Sequence, residues 1–384
     1  MNTDVLKPAD RKSGFQASYV FSRPRILQSK VFLQPGLLDT MEWPTLLSEA
    51  QCHSKHFIIT DTIINEVHGR RLLSRLTEKR LIAKTIVIPP GEASKSLTIY
   101  QRIITEILSW EPDHDSVIFG LGGGVVNNLS GFVASTLYRG LSLIQIPTTL
   151  MAQLDAAIDF KHAINLDCGK NLLGSYYPAS NIVVDPLLLN TLPERDLRSG
   201  LAEALKHALV QDSTLLDKLL TYSGSLQDQQ FLQHILQATI MLKVSLLTDP
   251  VGDYPEMVQQ YGHAIGHALE HLSGYQLLHG EAIAIGMCVT AELSRLLCIG
   301  SEALLKLHHD LLQKYRLPTI IPPTITANQI LQALTYDKHR VGHNIQLALA
   351  SDKGELFQAH GSYAFAPNPE LLLKAINLNK ERAI

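Results

Sequence analysis

Cysteine, excess charge and long apolar runs are all scarce in this chain. Of 384 residues only four are cysteine (Cys52, Cys168, Cys288 and Cys298), and no two stand in CxxC spacing. This argues against a disulfide framework and for thiols in a reducing compartment. The formal net charge is −3, so the bulk electrostatic footprint of a nucleic-acid binder is missing. Residues 1–18 are polar and mixed in charge, without the apolar run of a signal peptide. The most apolar stretch, Ala282 to Leu293, is too short to span a bilayer and carries Glu292. A cytoplasmic protein with neither a membrane nor a nucleic-acid partner is expected.

What is present is apolar patterning. Hydrophobic residues make up 46% of the chain, enough for a substantial core, and the length suggests two domains. In the first half, short apolar runs alternate with helical stretches. Phe57–Asp61, Thr85–Pro89, Ser116–Gly120, Leu141–Pro147 and Asn181–Asp185 read as buried strands. Strands separated by helical patterns predict an α/β unit with a largely parallel, Rossmann-like sheet. After Asp185-Pro186 the pattern becomes mainly helical. The expected division is residues 1–186, a nucleotide-binding α/β domain, and residues 187–384, a helical metal- and substrate-binding domain.

The strand at 116–120 runs into Gly120-Leu-Gly-Gly-Gly124. A glycine turn between strand and helix lets backbone N–H groups approach a pyrophosphate, with the helix dipole adding positive potential. Gly122, Gly123 and Gly124 suit that role, although the spacing is not GxGxxG. Asp61, at a strand end, could accept hydrogen bonds from ribose hydroxyls. Glu92 and Lys95 lie in a polar loop after another strand, and Thr148 and Thr149 follow the next. Each of these alone is equally a cap or turn residue.

The helical half holds a second constellation. Glu203 lies in Gly200-Leu-Ala-Glu-Ala-Leu-Lys206, His263 in Tyr261-Gly-His-Ala-Ile-Gly-His267, and His279 opens a long apolar helical stretch. One carboxylate and two imidazoles form a borderline-soft donor set that leaves positions open for substrate oxygens on a divalent metal. His267, four residues after His263, would share its helix face and is a rival ligand to His279. Arg139, Lys161, Lys170, Lys206, Lys243 and Lys338 recur beside apolar segments. Singly, such side chains snorkel. Converging near a metal, they would suit a phosphorylated, polyhydroxylated substrate.

Taken together, the residues resemble the sugar-phosphate cyclases, the 3-dehydroquinate synthase superfamily. The ordered match includes Gly122-Gly-Gly-Val-Val-Asn-Asn-Leu-Ser-Gly131, Tyr138-Arg-Gly140, Pro147-Thr-Thr-Leu150, Asp155, Lys161, Asn165 and Gly169-Lys-Asn171. It continues through Gly200-Leu-Ala-Glu203, Lys206, Gly262-His263, Gly266-His267 and His279-Gly-Glu281. The resemblance implies NAD and a Zn²⁺ or Co²⁺ ion held by Glu203, His263 and His279. It implies that Arg139, Lys161, Asn171, His267 and Lys338 surround a substrate phosphate, with His267 also catalytic. Arg139 would reach in from a neighbouring subunit, which makes the protein a homodimer. Asp155, Lys170 and Lys206 would line the substrate and nicotinamide region, with Lys243 and Gln260 among the catalytic groups. The implied reaction is oxidation, phosphate elimination, re-reduction, ring opening and aldol closure to a carbocycle, with no net redox change.

Within that superfamily, dehydroquinate synthases grip a substrate carboxylate with an arginine shortly before Gly-His. This chain has Glu256-Met-Val-Gln-Gln260 there and no arginine between residues 244 and 294. A glutamate beside a carboxylate would repel it. Asn128 replaces an aspartate of those enzymes. Asn128, Tyr261-Gly-His263 and Gly169–Pro178 look closer to the 2-deoxy-scyllo-inosose synthases, which cyclise glucose 6-phosphate. Those carry a glutamate at the position of Gln260, and a neutral glutamine can hydrogen-bond a hydroxyl but cannot act as a base. Cyclases of sedoheptulose 7-phosphate, 2-epi-5-epi-valiolone synthases among them, are the runner-up. Iron-type alcohol dehydrogenases, which share the glycine turn and a metal site but catalyse net redox, and a non-catalytic paralogue are the rival classes.

Overall fold

A computed structural model of the protein describes residues 28–166, 169–248, 251–335, 340–341 and 344–382. Lys338 and Cys168 lie outside the described residues. Cys52, Cys288 and Cys298 are free thiols.

Six parallel strands form the central sheet. They are β1 (Lys30–Leu33), β2 (Lys55–Asp61), β3 (Ile82–Ile88), β4 (Val117–Gly122), β5 (Ser142–Pro147) and β8 (Asn181–Val184), in the order β1-β8-β5-β4-β2-β3. All five strands expected from the apolar runs are present. β1 was not anticipated, because its four residues, only three of them apolar, are too few to show periodicity. Side chains alternate between two buried faces. Phe57, Ile59, Ile118 and Leu143 enter one core, whereas Ile58, Val117, Phe119 and Ile144 enter the other. This two-sided burial explains why the strands read as continuous apolar runs. Each such side chain contributes about 1.5–3 kcal/mol, so a charge on either face of β4 would break a layer.

The strand order reverses between β2 and β4. The crevice at the carboxyl ends of such strands is where open α/β sheets place ligands. Asp61 ends β2 and the glycine turn ends β4. A hairpin of β6 (Lys161–Leu166) and β7 (Gly169–Tyr176) stands apart from the sheet and packs on the Gly124–Thr136 helix. The ring of His162 lies over Gly131, where a Cβ would come within 2.2 Å of it.

After β8 the described residues are mainly helical, with short two-stranded pieces near residues 340–356. The Gln229–Thr248 helix is long and apolar enough, by composition, to cross a membrane. It instead buries Phe231, Leu232, Ile235, Leu236 and Lys243 in the core. Three other helices carry the metal-type residues: Glu194–Val210, His263–Leu272 and His279–Leu296. Their contacts are made backbone to backbone. A Cβ on Gly286 would lie 2.1 Å from the carbonyl oxygen of Gly262. Gly262 itself has φ 76°, a conformation that glycine adopts without steric cost.

Candidate active site

Glu203, on the middle of its helix, points its carboxylate toward both imidazoles. One donor atom each from Glu203, His263 and His279 falls within 4.8 Å of the others. His263 Nε2 is 3.4 Å and His279 Nε2 4.0 Å from Glu203 Oε1. His267 stands beside the triad, its ring centroid 5.4 Å from that of His263 and 5.7 Å from that of His279. It is a neighbour of the donor set, outside the closest group.

The donor chemistry fits a divalent metal. Glu203 Oε1 is buried without a hydrogen-bond partner, an expensive state unless something coordinates it. Both Nδ1 atoms are engaged elsewhere: His263 with the Tyr261 carbonyl at 3.2 Å, and His279 with Glu270 Oε2 at 3.3 Å. Those contacts place the hydrogen on Nδ1 and leave Nε2 lone pairs facing the centre, the usual arrangement for metal-binding histidines. Burial favours a neutral Glu203, but the Lys206 ammonium at 2.5 Å and the two histidines hold its pKa well below the ordinary range. Burial lowers the pKa of His263. For His279 burial acts the same way, but the Glu270 contact outweighs it and the pKa is raised. Glu270 is pushed up by burial and pulled down further by His279 and Lys170, to about 2.

Beside the triad, three ammonium groups converge on one residue. Gln259 Oε1 accepts from Lys161 at 3.0 Å and from Lys243 at 3.3 Å, and its backbone carbonyl accepts from Lys206 at 3.1 Å. Lys243 also pairs with Asp155 at 2.5 Å. Burial raises the Asp155 pKa, Lys243 more than reverses this, and the net shift is downward. Burial depresses the Lys243 pKa, yet Asp155 and Asp159 carry it above its ordinary value. Lys243 therefore stays charged and acts as an oriented donor. Asp155 sits in a π-helical turn, Ala152–Ala156, a feature common at functional sites.

A cavity of about 980 Å³ adjoins the triad. Glu92, Lys95, Lys170, Asn171, His267 and Glu270 are among its lining residues. Lys95 donates to Asn171 Oδ1, so a residue expected at the cofactor and one expected at the phosphate meet in one wall. Asn165 bridges them, donating to Glu92 at 2.7 Å and accepting from the Asn171 N–H at 3.0 Å.

At the sheet, Gly123 caps the Gly124–Thr136 helix, and a Cβ on Gly122 would lie 2.6 Å from Val126. Thr148 donates its N–H to the Gly122 carbonyl at 2.9 Å, while its buried hydroxyl has no partner. Free first-turn N–H groups and an orphan hydroxyl fit a pyrophosphate. Thr149 accepts from the Ala152 N–H at 3.2 Å. Asp61 accepts from the Ile64 N–H at 2.9 Å as a helix cap, which occupies one of its oxygens. Asn128 holds the Gly124 carbonyl and the Ala163 N–H, tying helix to hairpin.

Two expected site residues lie elsewhere. Gln260 donates to Glu256 Oε1 at 2.8 Å on an exposed face, while its neighbour Gln259 takes the position among the lysines. Arg139 is exposed with φ 64°, between Tyr138 and Gly140, which are also at positive φ. Gln259, Glu270 and Asp159 were not singled out from the sequence. Glu270 had a signal, since it follows His263 by seven residues on one helix face. Gln259 had none beyond adjacency.

A dinucleotide-type crevice on a parallel sheet, joined to a three-donor metal centre on helices, defines a two-part enzyme fold. Residues 85–199 match the family model 3-dehydroquinate synthase N-terminal, and residues 200–340 match 3-dehydroquinate synthase C-terminal. The 2-deoxy-scyllo-inosose synthase of Streptomyces paromomycinus is 33% identical over 334 residues, covering 84% of this chain and 86% of that protein. The 3-dehydroquinate synthase of Dichelobacter nodosus is 34% identical over 346 residues, covering 89% and 91%. Among solved structures, the 2-epi-5-epi-valiolone synthase of Streptomyces hygroscopicus, with NAD⁺ and Zn²⁺ bound, superposes with a TM-score of 0.83 at 27% identity, covering 94% of this chain and 99% of that one. A 2-deoxy-scyllo-inosose synthase complexed with carbaglucose-6-phosphate, NAD⁺ and Co²⁺ shares the fold, with a TM-score of 0.81 at 24% identity over 92% and 97% of the two chains. The chain belongs to the 3-dehydroquinate synthase family; it is an enzyme of the sugar-phosphate cyclase class.

Proposed function

We propose that this enzyme cyclises a sugar phosphate that lacks a carboxylate, with glucose 6-phosphate the first candidate, as in 2-deoxy-scyllo-inosose synthase. The observation that carries this reading is the helix leading into Gly262-His263, where the side chain turned toward the lysines is the neutral Gln259, while Gln260 bonds Glu256 on the exposed face. With no arginine between residues 244 and 294, this helix brings no guanidinium to pair bidentately with a substrate carboxylate.

Glu203, His263 and His279 would hold Zn²⁺ or Co²⁺, and the glycine turn with Asp61, Thr148 and Thr149 would hold NAD. When bound, these groups supply acidification of a substrate hydroxyl and reversible hydride transfer. The chain's own residues do the rest. Lys206 fixes Glu203 from behind. Lys243, locked between Asp155 and Gln259, orients charge beside the reacting carbons. Lys161, Asn171 and His267 present donors to the phosphate, joined by Lys338 and by Arg139 from the second subunit of a homodimer. The exposed turn at Tyr138-Arg139-Gly140 supports a functional role for Arg139, because backbone held at positive φ clusters at ligand clamps and active sites. The reaction is a redox-neutral phosphate elimination followed by aldol closure, in a cytoplasmic lyase with domains 1–186 and 187–384.

The test is inorganic phosphate release from protein supplied with NAD⁺ and Co²⁺ or Zn²⁺, offered glucose 6-phosphate, sedoheptulose 7-phosphate or the seven-carbon keto-acid phosphate separately. Release from glucose 6-phosphate without accumulation of NADH is expected. Release from the keto acid alone would overturn the carboxylate argument. Steady NADH build-up would instead indicate a dehydrogenase. The second reading, a sedoheptulose 7-phosphate cyclase, is favoured by the structural likeness to the valiolone synthase and also needs no carboxylate grip.

A further inference from the structure

The two imidazoles of the metal centre are not held equally. His263 is largely buried and its Nδ1 faces a backbone carbonyl, that of Tyr261, which cannot rotate away. Tyr261 is in turn anchored by its hydroxyl, 2.8 Å from His308 Nε2 in the core. His279 is the first residue of its helix, and 32% of its side chain is exposed. Besides Glu203, the group facing its ring nitrogens is the Glu270 carboxylate, 3.3 Å from Nδ1.

Glu270 has two roles available to its two oxygens. Oε2 meets His279, and Oε1 accepts from Lys170 at 2.8 Å. Lys170 belongs to β7, on the hairpin across the cavity from the His263–Leu272 helix. Its ammonium also lies 4.1 Å from the centroid of the Tyr275 ring and 3.9 Å from Glu92. The hairpin and the metal ligand are thus joined by one chain of contacts, Lys170 to Glu270 to His279.

We infer that Glu270 is the positioning residue for His279, and that Lys170 fastens Glu270 so that the hairpin wall of the cavity sets the geometry of the metal centre. Removing Glu270 frees the His279 ring to rotate about its side-chain torsions, and a ligand that spends less time aligned binds the ion more weakly. Outer partners of metal-binding histidines typically control about 10- to 100-fold in affinity. Removing Lys170 leaves the His279 contact but lets the carboxylate swing, so its effect should be smaller and should act only through Glu270. The inference rests on the metal-dependent reading of the site and is indifferent to which sugar phosphate is turned over.

The test uses the Co²⁺-loaded, NAD⁺-bound protein, titrated with a chelator, with the visible Co²⁺ spectrum recorded for each variant. Glu270→Ala is expected to raise the Co²⁺ dissociation constant about 10- to 100-fold and to change the spectrum, with far-UV circular dichroism unchanged. Lys170→Met should raise it by less, and should add nothing in the Glu270→Ala background. Should Glu270→Ala fail to fold, Glu270→Gln replaces it, retaining an acceptor for Nδ1–H but losing the ion pair with Lys170, and should match Lys170→Met. Wild-type affinity and spectrum in the foldable Glu270 variant would overturn the inference. Additive losses in the double variant would overturn the link through Lys170. If no variant, wild type included, binds Co²⁺, the metal-dependent reading itself fails, which separates the two failures.

Discussion

The carbonyl oxygen of Ser199 lies where a side chain at position 280 would begin, since a Cβ on Gly280 falls 1.8 Å from it. The Ser199 hydroxyl also accepts the Gly280 N–H at 3.0 Å. This contact seats the start of the His279–Leu296 helix on the Glu194–Val210 helix, and so brings His279 to Glu203. Gly280→Ala must push the two helices apart, because neither partner is a side-chain end that can rotate. A loss of about 1–3 kcal/mol is expected, together with loss of bound metal. Denaturant unfolding and metal content per subunit check both. An alanine variant with full stability and full metal would show that the helices have slack there.

Glu203→Ala removes a metal ligand and strands Lys206, whose side chain is 1% exposed. Breaking a buried ion pair by deleting one partner costs about 3–5 kcal/mol. The metal-free variant should therefore be less stable than metal-free wild type, besides losing metal and phosphate release. Retained turnover with stoichiometric metal would refute the ligand assignment.

Gln259→Leu removes the side-chain acceptor shared by Lys161 and Lys243 but keeps the backbone carbonyl that holds Lys206. Metal binding should persist while phosphate release falls about 10- to 100-fold, the scale of one or two lost charge-assisted hydrogen bonds. Parallel loss of metal would place Gln259 in the metal centre's support instead.

Gln260→Glu sets two carboxylates side by side, since Gln260 now donates to Glu256. Repulsion should drive the new side chain off Glu256, and turnover of glucose 6-phosphate should change at least severalfold. A kcat and KM equal to wild type would mean that position 260 does not set specificity.

Stability should fall as pH drops below neutrality, before carboxylates titrate. Burial lowers the pKa values of His162 and His308 from an ordinary 6.5 to about 4. Below pH 6.5 the unfolded chain takes up protons that the folded one refuses until about pH 4, so the folded state loses ground across that window. Each histidine contributes a slope approaching 1.4 kcal/mol per pH unit, or about 2 kcal/mol at pH 5 relative to pH 7. His308→Gln should remove about one proton's worth of slope between pH 6.5 and 5.5. A slope equal to wild type would show that His308 is accessible to protons in the folded state.

Much of this was legible in the chain itself. The five apolar runs became strands because burial on both faces demands unbroken apolar sequence, and the glycine turn followed its strand directly. Glu203, His263 and His279 were readable because their residue types suit a metal and their flanking glycines mark close packing. Other features depended on tertiary structure alone. The i, i+4 spacing made His267 a rival ligand, and only the docking of the third helix put His279 in the triad and His267 beside it. The same docking chose Gln259 over Gln260, because which of two adjacent glutamines faces a cleft depends on how the Tyr254–Gln260 helix is turned. Glu270 stood in plain sight at helical spacing, yet its partners, Lys170 and His279, come from separate elements 100 residues before it and 9 after it in sequence. Local sequence fixes element type and donor chemistry through periodicity and residue identity. Which donors meet is a long-range packing outcome, set here by helix contacts so close that only glycine fits between them.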